Sequence, residues 1–196
     1  MNPWDWLGHG VYFWEHSPSR ALEFAAIQSS RKGSSIKKPA ILGAVLDLGN
    51  CLDLLDYGSL FYLKQVHDEF RGHPDFENLL TESEAIQRST DSLRRNLDCA
   101  ILELAHRSRR RDNLPPFDSV RAVFFEGNTL YPNAGFREKN HIQICIRNPN
   151  CIKGLFIPYP SICALRSSTS RIILSSSAIC AYDRQFRINK KIPASF

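Results

Sequence analysis

Leu7-Gly8-His9-Gly10-Val11-Tyr12-Phe13-Trp14-Glu15 runs almost directly into Ser17-Pro18-Ser19-Arg20-Ala21-Leu22-Glu23-Phe24-Ala25. Two glycines one residue apart feed an aromatic strand, and a Ser-Pro start then opens a helix. Ser17 reads as the N-cap with Pro18 in the first turn. Ala21, Leu22, Phe24 and Ala25 supply the apolar face of a helix over residues 17–29. The glycines let the backbone approach a flat ligand closely, and Tyr12 can lay a ring beside it.

Outward from this block the chain alternates strands and helices. Residues 29–35 form a loop by composition, and 40–48 read as a buried strand. Residues 58–70 read as a helix with Leu60, Phe61, Leu63 and Phe70 as its apolar set. A longer helix is expected near 81–107, opened by a capping box at Thr81-Glu82-Ser83-Glu84. Arg107 to Asp112 reads as a charged loop, and Pro115-Pro116 interrupts regular structure. Val120 to Phe125 is a strand. In His141-Ile142-Gln143-Ile144-Cys145-Ile146 the isoleucines face one side and His141, Gln143 and Cys145 the other. Cys151 to Ile157 is a last short strand.

At 196 residues, 43% of them hydrophobic, the chain has enough apolar material for one domain with a real core. The net charge of +5 is concentrated at one end. Residues 161–196 hold six basic residues and one acid, which leaves residues 1–160 with nineteen of each. The charge therefore says little about what the domain binds. Residues 1–157 are read as the domain and 158–196 as a serine-rich basic tail, poorly ordered and outside it. The six cysteines are scattered without a C-x-x-C pair, which reads as reduced thiols and no zinc site. No apolar run approaches the roughly twenty residues of a membrane span, and no signal pattern opens the chain. The cytoplasm is the expected compartment.

Two blocks together resemble a known family: Gly10-Val11-Tyr12-Phe13, and Phe117 to Gly127 running on through Phe136 to Ile146. The pattern is similar to the ADP-ribosyltransferases, in the branch shared by poly(ADP-ribose) polymerases and diphtheria toxin. It resembles the small bacterial members of the toxin or phage-defence kind. The resemblance implies an α+β fold of split antiparallel sheets with flanking helices. It also implies NAD as substrate and transfer of ADP-ribose to a macromolecule, protein or nucleic acid, with release of nicotinamide. An antitoxin-like partner is a further implication.

The resemblance assigns residues as follows. Tyr12 would stack on nicotinamide, Gly10 would permit its approach, and Gln143 would hold the nicotinamide-side ribose. His9 would reach a phosphate or ribose, and Arg20 the pyrophosphate. The family usually carries a glutamate at the position of Gln143. Its charge stabilises the oxocarbenium-like ribose; the Gln143 amide oxygen retains only the hydrogen bond. Glu138 is a candidate substitute, and His141 a candidate to orient Gln143. The family's histidine strand and helix precede its tyrosine strand and need roughly fifteen residues. Eleven residues precede Tyr12 here, so the expectation is an N-terminally incomplete, truncated fold.

Each residue also has a plainer reading. Tyr12 can be a half-buried strand aromatic, Gln143 a sheet-surface residue, His9 a solvated turn histidine and Arg20 a solvated helix arginine. Two further functions stay open: a catalytically inactive pseudo-enzyme that acts by binding a partner, and a nucleic-acid-binding module built on Arg107–Arg111 and the tail.

Overall fold

The computed structural model describes residues 5–74, 76–78, 95–158 and 179–181. The elements are β1 (Val11–Glu15), α1 (Pro18–Ser30), β2 (Leu42–Leu46), β3 (Cys51–Asp53), α2 (Tyr57–Phe70), α3 (Asn96–Arg111), β4 (Ser119–Phe124), β5 (His141–Ile146), β6 (Ile152–Phe156) and β7 (Ile179–Ala181). A 3-10 turn, Pro149–Cys151, leads into β6. The fold is α+β, with helices flanking a mixed sheet.

The seven strands lie in the order β3-β4-β5-β1-β7-β2-β6. Among the described strands only β3 and β4 run parallel; the other neighbours are antiparallel. This corrects the expectation of split sheets. β7 pairs with β1 on one side and β2 on the other, joining two groups of strands into one sheet. Ile179–Ala181 lies within the stretch 158–196 read from sequence as the tail. Serine-rich composition hid a three-residue segment whose backbone groups complete the ladder.

Strand alternation builds a core on each face of the sheet. On one face Phe13, Ala44, Ile144, Ile146 and Cys151 pack together. On the other, Leu52, Val120, Ala122 and Cys145 meet Leu7 and Leu102. α2 and α3 cover this second face, joined through Val66, Ile101 and Ala105. α1 sits farther along, with Ala21 and Phe24 against Trp14.

Three local expectations change. Ser17 makes no side-chain cap; its carbonyl simply accepts from Ala21 N–H at 3.1 Å. Leu60 and Phe61 of α2 are exposed, and the helix buries Val66 instead. Arg107 to Arg111 is not a loop but the last turns of α3. Arginine is a good helix former, and positive charge offsets the negative end of the helix dipole. Residues 81–94 of the expected long helix, with its capping box, lie outside the described residues. Among the described residues, no helix is long and apolar enough to cross a membrane.

Candidate functional site

The register of β1, β5 and β4 assembles the site. Tyr12 pairs with Cys145 and Trp14 with Gln143. Across the other edge of β5, Val120 pairs with Cys145, Ala122 with Gln143 and Phe124 with His141. Paired residues share a face, so Tyr12, Trp14, His141, Gln143 and Phe124 all lie on the helix-covered side.

Gln143 and His141 form a defined pair. His141 Nδ1 lies 2.6 Å from the Lys139 carbonyl oxygen, so that nitrogen carries the proton. His141 Nε2 is therefore the acceptor, and Gln143 Nε2 donates to it at 2.9 Å. Gln143 Oε1 has no partner among the described residues, so a half-buried amide oxygen is oriented and left free. The Phe124 ring stacks on His141 with centroids 5.7 Å apart, and Trp6 packs on Phe124 at 4.2 Å. Behind this aromatic wall, a mostly apolar cavity of about 320 Å³ opens between α2, α3 and β4. Trp6, Leu54, Leu63, Ile101, Ala122 and Phe124 help to line it, with Lys64, His67 and Asp98 as polar groups.

Tyr12 is less free. Its hydroxyl accepts from Leu7 N–H at 2.8 Å and donates to the Gly8 carbonyl at 2.7 Å. Its half-buried ring packs against the cluster around Leu52, Leu102 and Val120. Burial, above all, pushes its phenol well above the usual tyrosine value. Gly10 lies tight against β5. A Cβ there would stand 2.5 Å from both Cys145 Sγ and the Ile146 carbonyl oxygen. The glycine lets β1 begin in contact with β5.

His9 and Arg20 are both held by carboxylates. Glu103 Oε1 accepts from His9 N–H at 2.8 Å, and His9 Nδ1 lies 3.6 Å from that oxygen. Arg147 binds Glu103 at 2.5 and 3.1 Å and donates to the His9 carbonyl at 3.0 Å. Arg20 is buried rather than solvated. Its Nη2 meets the two oxygens of Glu126 at 2.7 and 2.6 Å, and its buried Nε has no partner. Glu23 accepts from Arg20 at 3.3 Å and from Lys139 at 2.6 Å, tying α1 to the segment between β4 and β5. Glu138 is turned into that segment, accepting from Asn128 N–H at 3.2 Å and Asn128 Nδ2 at 3.3 Å.

Glu103, Glu126, Arg147 and the Trp6–Phe124 pair were not anticipated from sequence. Their partners are distant in the chain, and no local spacing signals them. The Arg107–Arg111 run also separates. Arg109 lies 4.3 Å over the Phe117 ring, while Arg111 pairs with Glu69 and Asp112, each at 2.9 Å.

Two buried histidines give the fold a pH dependence. Burial, reinforced by the charge of Arg147, pulls His106 from its usual 6.5 down to about 4. Burial also lowers His141. The unfolded chain protonates these imidazoles at higher pH than the folded one, so it binds more protons as pH falls below about 6.5. Stability is therefore expected to decline from pH 6.5 toward 4. Urea midpoints measured across this range should fall, and His106→Gln should flatten the slope. An unchanged slope in that variant would remove His106 from the account.

No family model, curated protein or solved structure matches the chain.

Proposed function

We propose that this chain is an NAD-dependent ADP-ribosyltransferase-like protein. In this reading it transfers ADP-ribose to a macromolecular acceptor and releases nicotinamide. The observation that carries the reading is Gln143, with its amide nitrogen committed to His141 and its oxygen free. A ribose hydroxyl of NAD would donate to Gln143 Oε1. The order of elements supports it too: a Gly-x-Tyr-Phe strand, a helix, and a later strand that sets Gln143 beside Trp14 on the face of Tyr12. Tyr12 would contribute its ring, since its hydroxyl is engaged. Arg20 would meet the pyrophosphate by exchanging Glu126 for it.

Nicotinamide release from NAD tests this. Gln143→Ala removes one neutral hydrogen bond and is expected to slow release about tenfold. Tyr12→Phe keeps the ring and should retain turnover while lowering stability, because Leu7 N–H loses its acceptor. Undiminished release in Gln143→Ala would take that residue out of the reaction.

A second reading is a catalytically inactive protein that binds a partner, antitoxin-like or otherwise. It is favoured by the engaged Tyr12 hydroxyl, the Arg20–Glu126 ion pair and the lack of a carboxylate at position 143. No release above buffer, with no change in melting temperature on adding NAD, would select it.

A further inference from the structure

A second cavity, of about 240 Å³, lies among the end of α3, the segment before β4 and the end of β5. His106, Arg110, Phe117, Asp118, Arg147 and Asn148 line it. We propose that this cavity is a binding site for a phosphate group, gripped between the guanidinium groups of Arg110 and Arg147. It stands apart from the NAD reading. Arg147 is four residues along the chain from Gln143, roughly 13 Å at the rise of an extended strand.

The inference starts from which donors are spent and which are not. Arg109 donates from Nε to the Pro115 carbonyl at 2.5 Å, and Arg111 is held by Glu69 and Asp112. Arg110 is exposed at the cavity, and its side chain makes no hydrogen bond or ion pair among the described residues. Its five N–H groups remain available. Arg147 uses both Nη1 protons and one Nη2 proton on Glu103 and the His9 carbonyl. Its Nε–H and one Nη2 proton remain. Glu103 pairs with Arg147, whereas the Arg110 guanidinium has no carboxylate within ion-pair distance among the described residues. Asp118 is the one acid on the wall. Its Oδ1 accepts from Asn148 Nδ2 at 2.7 Å, and its Oδ2 from Asn50 N–H at 2.8 Å. The unfilled capacity is thus guanidinium N–H, whose planar fork matches phosphate oxygens.

His106 is the internal reporter. It is 3% exposed, and its buried Nε2 has no hydrogen-bond partner. The charged groups acting on it are Arg147 on the β5 side and Arg109, Arg110 and Glu103 on its own helix; Asp118 also lines the cavity. A phosphate between Arg110 and Arg147 offsets the arginine field and makes the imidazole easier to protonate. Free phosphate compounds and the backbone of a nucleic acid present the same chemistry.

The test is titration of inorganic phosphate into the full chain at fixed ionic strength, read by NMR of the His106 ring. Expected are a saturable shift in the millimolar range and a rise in the His106 titration midpoint. Arg110→Gln should weaken binding at least about tenfold, the weight of a charge-assisted hydrogen bond. Arg107→Gln, an exposed residue of α3 outside the cavity lining, should leave binding unchanged. Absence of saturation in the parent chain, or equal loss in both variants, overturns the proposal. A 5′-phosphorylated RNA oligonucleotide that competes with phosphate through Arg110 would support it with a nucleic acid as source. Arg110-dependent phosphate binding that RNA fails to displace would support it with small phosphate compounds.

Discussion

Gly10→Ala lowers the stability of the chain by about 3 kcal/mol, at the upper end of the usual cost of overpacking. The added Cβ would meet Cys145 Sγ and the Ile146 carbonyl oxygen at 2.5 Å each, and the Ile146 carbonyl carbon at 3.0 Å. Two of these three atoms are backbone, so no flexible side chain can swing away. The third belongs to a thiol with no exposed surface. Relief requires β1 to back away from β5, and Val11 pairs with Ile146 at that point. For a chain of this length the loss corresponds to a fall of roughly 6–12 °C in melting temperature. Gly154→Ala is the matched control, because a Cβ there has open space around it. Thermal melts of the two variants decide the matter. A Gly10→Ala melt as high as that of Gly154→Ala would show that β1 can shift at no cost. It would also reopen Gly10 as a point of ligand approach.

Glu103→Ala costs a similar amount, about 3 kcal/mol, by leaving Arg147 largely buried without its counter-charge. The Glu103 and Arg147 side chains are only 14% and 18% exposed, so water screens the pair weakly. The same substitution removes the acceptor of His9 N–H and loosens the turn that leads into β1. Glu103→Gln keeps an acceptor oxygen and loses only the charge, so it should fall between the parent and alanine. Burial pushes the Glu103 carboxyl up. The Arg147 and His9 hydrogen bonds and charges outweigh that and hold it below its usual 4.5. The folded value is depressed, so this contribution is present above about pH 4.5 and is lost as pH falls through the lowered value. Chemical denaturation at pH 7 and pH 3.5 separates the effects. The alanine variant should differ from the parent strongly at the first and less at the second. An equal difference at both would assign the cost to packing rather than charge.

Much of the architecture was legible locally. The helix over 17–29, observed as Pro18–Ser30, follows from its apolar face and the proline in its first turn, and the strand His141–Ile146 from periodicity. Periodicity records which side chains share a face, and that depends only on near neighbours in the chain. The end of α3 was misread because five charged and polar residues in a row resemble a loop. As a helix the same run sends Ser108 inward and leaves Arg107 and Arg110 outside. The candidate site was half legible. Gln143 and His141 could be placed on one side of a strand, but the direction of the proton between them depended on the Lys139 carbonyl.

By itself, the sequence determined the order of β1, α1, β2, α2, β4, β5 and β6, the alternation that puts Ile144 and Ile146 on one face of β5, and the shared side of His141 and Gln143. Only the tertiary structure decided that Ile179–Ala181 enters between β1 and β2 and that Arg20 belongs to Glu126. It alone matched Glu103 to Arg147 and brought Arg110 and Arg147 to the lining of one cavity. Side-chain alternation is written into adjacent residues. Strand neighbours and ion-pair partners are chosen by the closure of long loops, where backbone donors and buried charges must find whatever group the rest of the fold brings to them.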